Sequence, residues 1–213
     1  MEENNSRKVL LSVLGVAILL VAVIGVSFAA YSVTHTSTNS NTINTGTITM
    51  SYTEPTSGIN LVNALPVADS TAMGWTEAGK VFTFTVAANA TGTVSVPYEI
   101  SVQKKEGTLA DSAVKVALTK GTLGGTKTET VLYGPKLMSE LLVSQNKSTL
   151  RTSVDAYKVH TETVNFVQGQ NAPTNANQTY HLRIWVDSRV TVASGQNYKV
   201  LVHVDSAVKP IGQ

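Results

Sequence analysis

The chain has 213 residues, with 16 lysines and arginines against 14 acids, no cysteine, 14% charged residues and 42% hydrophobic ones. That length can bury one ordinary core unaided, and the absence of cysteine excludes disulfide scaffolds, thiolate metal sites and cysteine nucleophiles. Scattered, near-balanced charge leaves no basic footprint for nucleic acid, while few charges and much threonine suit a β-rich exported protein.

Arg7 and Lys8 precede an uncharged apolar run from Val9 to Ala30, whose only polar side chains are Ser12 and Ser27. Basic residues ahead of such a run hold its N-terminus in the cytoplasm, so the chain beyond the run is translocated. The run ends Ser27-Phe28-Ala29-Ala30, which places small residues for cleavage after Ala29. Residues 9–30 would also reach about 33 Å as a helix, enough for a retained anchor. The reading is therefore a signal peptide or membrane anchor over 1–29, an N-terminal extended arm over 30–43 and a folded domain over 44–213.

The domain reads as strands. Ile48, Met50 and Tyr52 share one parity with threonine and serine between them, the period of a half-buried strand. Phe82, Phe84 and Val86 repeat the pattern, as do Val94, Val96, Tyr98, Ile100 and Val102, where Pro97 on the other parity predicts an edge strand or a bulge. Val114, Val116 and Leu118 come next, then Tyr180, Leu182, Ile184 and Val186, and last Tyr198, Val200, Val202 and Val204. Further strands near Ile59–Leu65 and Tyr157–Val167 bring the expectation to about eight. Turn residues separate them at 54–58, 89–92, 121–125 and 193–195.

One segment has helical spacing: Gly134-Pro135 opens it, and Leu137, Leu141 and Leu142 share a face before Asn146. Residues 121–152 are otherwise low in strand signal, and no repeat of fixed period is visible. Short strands, long crossovers and one short helix predict an all-β fold, an antiparallel two-sheet jelly-roll sandwich behind the N-terminal apolar helix.

Four stretches resemble the TasA/camelysin family of exported biofilm-matrix fibre and cell-surface proteins. The leader end Ser27-Phe28-Ala29-Ala30-Tyr31 is similar to the family's processing junction, which would start the mature chain at Ala30. Asn44-Thr45-Gly46-Thr47-Ile48 resembles its first-strand element, and residues 59–69 its Leu…Pro-Gly-Asp turn, with Val67-Ala68 where the family usually has glycine. That turn is followed by Phe82-Thr83-Phe84-Thr85-Val86, and Gly195-Gln196-Asn197-Tyr198-Lys199-Val200 resembles the closing strand. The resemblance implies processing by a specialised signal peptidase and a jelly-roll subunit whose N-terminal segment completes the next copy's sheet. Its partner is then a homo-polymer of itself. Ala30, Tyr31, Ser32, Val33, Thr34, Thr36 and Thr38 would form the donor arm, extended and rich in strand-favouring types. Twelve to fourteen such residues reach about 40–45 Å. The alternative is a flexible linker carrying a monomeric, membrane-anchored surface or virion-coat head that binds a partner through its loops. Localisation is extracellular in either case, and membrane contact is confined to residues 9–30 of an uncleaved leader.

Neither a catalytic constellation nor a cofactor motif emerges. His35 lies in the polar arm, and His160 is the remaining histidine outside the last two apolar stripes. His181 and His203 fall on the parity opposite those stripes, along with Arg183 and Asp205, and read as an exposed polar pair on neighbouring strands more readily than as metal ligands. No helical His-Glu-x-x-His and no Gly-x-Ser-x-Gly is present, and residues 121–127 are glycine-rich without phosphate-loop spacing. The expectation is a non-enzyme with no metal, no nucleic acid and no small-molecule substrate. Trp185 interrupts a polar face and so packs under a loop or in an interface; Met73 and Trp75 are further interface candidates. Asn89-Ala90-Thr91, Asn146-Lys147-Ser148 and Asn177-Gln178-Thr179 match the glycan-acceptor triplet.

Overall fold

Val94, Val96, Tyr98, Ile100 and Val102 occupy alternate positions of one strand, and none is more than 7% exposed. Phe82, Phe84 and Val86 behave the same way, as do Val114, Val116 and Leu118, and the alternating sets starting at Tyr180 and at Tyr198. All join one apolar cluster lying between two sheets. Burying a side chain of this size contributes about 1.5–3 kcal/mol, so the alternation by itself sets which face of each strand turns inward.

The computed structural model describes residues 41–44, 48–53, 59–123, 129–167, 169–207 and 209–210. The first strands are β1 (Asn41–Asn44), β2 (Ile48–Thr53), β3 (Ile59–Val62) and β4 (Pro66–Val67). Helix α1 (Asp69–Met73) leads to β5 (Phe82–Ala90), β6 (Val94–Gly107), β7 (Val114–Lys120) and β8 (Thr130–Leu137). Helix α2 (Met138–Leu141) and a 3-10 turn at Ser144–Asn146 precede β9 (Ala156–Phe166). After a second 3-10 turn at Thr174–Ala176 come β10 (Asn177–Asp187), β11 (Asn197–Ser206) and β12 (Lys209–Pro210).

One sheet has the order β1-β2-β5-β10-β7-β8, and β4 runs parallel to the end of β10. In the other, β6 carries β9 on one flank and β11 on the opposite flank, and β3 lies beyond β11. The sheets meet through the core and through the hydroxyls of Tyr98 and Tyr180, which hydrogen-bond across it. At one end Lys120 of β7 reaches Glu162 of β9 at 3.2 Å, a second tie between the sheets.

The described residues contain twelve strands where about eight were expected. The additions are mostly short pieces, β1, β4 and β12, which carry no readable period. β8 is different: it lies in the segment read as poor in strand signal. Gly134 and Pro135, read as the start of a helix, sit inside it, and the helix begins only at Met138. Gly134 has φ +74°, and a Cβ there would lie 2.2 Å from the carbonyl oxygen of Val116. The glycine thus marks a close approach of β8 to β7, where the register between them shifts. Helix α1 was not anticipated, since five residues cannot display a helical period.

Pro97 is on an interior strand, since β6 pairs on both flanks, and the register shifts elsewhere, between Ile100 and Ser101. Tyr98 is the last β6 residue facing β11 and Ser95 the first facing β12. A residue without an N–H is tolerated here because it stands where that ladder is interrupted.

Candidate functional site

Many of the side chains that point away from the core are buried on both sheets, among them His181 and His203, which the sequence places in an exposed pair. On β10 these are His181, Arg183, Trp185 and Asp187, between 0% and 3% exposed. On β6 and β11 they are Glu99, Ser101, His203 and Asp205, all at 2% or less. His181 and His203 therefore do not form an exposed pair on neighbouring strands. They lie on different sheets, and both are buried.

The cover over β10 comes from the α1 segment. Ala72, Ala117 and Trp185 pack together, with Val67, Met73 and Trp75 against them. Trp185 is thus the tryptophan under a loop, 1% exposed, while Met73 and Trp75 are half-buried beside it. Lys115 Nζ bonds both Asp69 oxygens at 2.9 and 2.7 Å, and Trp185 Nε1 donates to Asp69 at 3.2 Å, so the first residue of α1 is pinned to the sheet. Asp187 lies 3.7 Å from Lys115, and Arg189 donates to it; that bonding holds its carboxyl down at about 2.

Arg183 is fully buried and fully used. Its Nε and Nη2 donate to the Trp75 carbonyl at 3.3 and 2.9 Å, Nη1 donates to Thr119 at 2.9 Å, and Glu129 completes a two-point ion pair. A planar fork of five donors can serve three segments at once, which lysine cannot. Next to it, His181 Nε2 sits 2.8 Å from the Gly121 carbonyl and Nδ1 2.9 Å from the Thr83 hydroxyl. A carbonyl only accepts, so Nε2 carries the proton and Nδ1 accepts from Thr83. Burial pushes this imidazole below its ordinary pKa, keeping that neutral tautomer.

The segment 147–151 covers the other sheet. Arg151 is 5% exposed and donates through Nε and Nη2 to the two oxygens of Asp205, both at 3.1 Å. Ser148 hydrogen-bonds Glu99 and accepts from the Arg151 amide, and Thr149 Oγ1 reaches Glu99 at 3.2 Å. Glu99 and Asp205 stand directly opposite each other on β6 and β11. Burial, with Glu99 adding to it, pushes the Asp205 carboxyl up to about 6 against the pull of Arg151. Both clusters hold covers in place. Among the described residues no group of three or more His, Asp or Glu side chains is arranged to hold a metal ion.

The remaining feature of functional interest is the set of sheet edges. Among the described residues β5 does not offer one, because the chain's own β2 pairs along it and β1 pairs with β2. β8 is an edge of eight residues interrupted by Pro135. β3 is a four-residue edge that ends in exposed Val62, with exposed Leu65 just beyond it, at 58% and 77%. β9 is eleven residues long and pairs with β6 on one flank; its other flank meets Lys147 at Tyr157 and the Asn175 side chain at the Thr163 carbonyl.

The sequence expectations for Ala29 and for Ala30, Tyr31, Ser32, Val33, Thr34, Thr36 and Thr38 fall outside the described residues, as do those for the leader and His35. Comparison with known proteins finds no matching family model, no matching curated protein and no matching solved structure.

Proposed function

We propose that this chain is an exported, non-enzymatic structural subunit that polymerises into surface or matrix filaments, each copy lending its N-terminal arm as a strand to the next. The observation that carries this is β9: an eleven-residue strand with a full ladder on one flank and, among the described residues, only scattered contacts on the other. A strand edge of that length is a template for another strand, whose main-chain bonds give affinity and whose alternate side chains give specificity. The arm is polar, β-permissive and long enough to reach a neighbour, at about 3.3 Å per residue.

The strand orders support the reading as well. The order β3-β11-β6-β9 opposite β5-β10-β7-β8, with β1 and β2 added at the β5 side, supports reading the sandwich as a jelly roll. It fits the TasA/camelysin resemblance of residues 27–31, 44–48, 59–69 and 195–200. Donation from the terminus of one copy to the flank of another is head-to-tail and does not close on itself, so it propagates as a filament.

The test uses protein recovered from the outside of cells. Its first residue should be Ala30, and electron microscopy should show fibres. Removing residues 30–40, which leaves β1 intact, should give folded, unpolymerised subunits, and fibres that survive the deletion would overturn strand donation. A chain recovered with Met1 in place and only as a monomer would overturn the polymer itself.

A further inference from the structure

Three segments carry the triplet Asn-x-Ser/Thr, and the fold treats each one differently. An oligosaccharyl transferase must hold the acceptor amide and the hydroxyl two residues on at the same time, so both groups have to be reachable.

At Asn146 neither is reachable. The Nδ2 group donates to the carbonyls of Glu140 and Leu141, both at 3.1 Å, capping the end of α2. The hydroxyl of Ser148 is 8% exposed and bonded to Glu99 beneath the 147–151 cover. A sugar on Nδ2 would break the caps, and the hydroxyl could be presented only by lifting the cover.

At Asn177 the asparagine is exposed but its threonine is not. Half-buried Thr179 shares a hydroxyl contact of 3.4 Å with Thr85. Gln178, between Asn177 and Thr179, is bound to the Thr174 carbonyl at 2.9 Å.

At Asn89 both ends of the triplet are exposed. Asn89 and Ala90 end β5, and Thr91 begins the turn into β6, where Gly92 takes φ +93°. Asn89 has the parity of Thr83 and Thr85, opposite core residues Val86 and Ala88, so its side chain leaves from the outward face of an interior strand. A bulky group there leaves from the outward face of a strand that pairs on both flanks among the described residues.

We propose that Asn89 is the asparagine-linked glycosylation site of this chain, and that Asn146 and Asn177 are not, although they carry the same triplet. The inference rests on the reading that the chain is exported. The co-reactant is a lipid-linked oligosaccharide phosphate or diphosphate. Asn89 Nδ2 attacks the anomeric carbon, an N–C bond forms, the C–O bond to phosphate breaks with its electron pair leaving on the phosphate, and a base of the transferase takes one amide proton.

Two arms test it on the full chain. In the first, protein washed from the outside of the producing cells is digested and sequenced by mass spectrometry with fragmentation that preserves glycans. The Asn89 peptide should carry a saccharide mass increment that Thr91→Val removes and Thr91→Ser retains, with the Asn146 and Asn177 peptides unmodified. In the second, the purified folded chain is incubated with an oligosaccharyl transferase and its lipid-linked donor, and only Asn89 should gain the mass. An unmodified Asn89, or a modified Asn146 or Asn177, overturns the assignment in either arm. Protein found only inside cells would sink the export reading while the second arm still decides the site.

Discussion

Arg151 and Asp205 face each other as a two-point ion pair, both contacts at 3.1 Å, with side chains 5% and 0% exposed. The pair closes a surface segment over the outer face of a sheet, where a β-sandwich would ordinarily show solvated residues.

Removing one partner leaves the other charge buried without compensation, so Arg151→Met and Asp205→Leu should each cost about 3–5 kcal/mol. The double variant, with both charges replaced by apolar groups of similar volume, should cost less than either single change. Urea titrations of the four proteins check this, and a double variant as unstable as the sum of the singles would show that the two side chains are not coupled and that each acts through its other contacts.

Two buried groups should act on acid stability with opposite sign. The Asp205 carboxyl is pushed up to about 6 by burial, so its contribution is fully present below the unfolded value of about 3.9 and is lost as pH rises through about 6. His181 is pushed below its ordinary value by burial, so its contribution is present above about 6.5 and is lost as pH falls through its lower folded value. Between about 4 and 6 the two oppose each other. Stability measured against pH should therefore rise more steeply with pH in Arg151→Met/Asp205→Leu than in the parent, and less steeply in His181→Gln. A His181→Gln profile parallel to the parent would remove His181 from the account.

Gly134 and Gly195 both take positive φ, +74° and +80°, but only Gly134 is crowded, with backbone 2.2 Å from a built Cβ and nothing within 4 Å at Gly195. Gly195→Ala should cost about 1–2 kcal/mol, the strain of the left-handed conformation alone. Gly134→Ala adds a collision with the β7 backbone and should cost about 2–5 kcal/mol. Thermal melts of the two variants compare them directly, and equal costs would mean that β8 can move away from β7.

The stripes 94–102, 114–118, 180–186 and 198–204 were legible as strands because the apolar residues in each alternate cleanly, and those residues all join the core. β8 was not legible. Its residues are exposed or half-buried with no alternation, and Gly134-Pro135 imitates a helix start. The candidate site was legible only in part. His203 and Asp205 were correctly set on the non-core parity, yet both are buried, and Asp205 is held by Arg151, 54 positions away in the chain.

Taken alone, the sequence determined which side chains share a face, because a strand's period of two is a local property of the backbone. Only the tertiary structure decided what lies on that face. The α1 segment over Trp185 and residues 147–151 over Asp205 are brought there by pairings between distant segments, Asp69 with Lys115 and Arg151 with Asp205. No periodicity records such a contact, since it depends on where two separate stretches of chain meet in space.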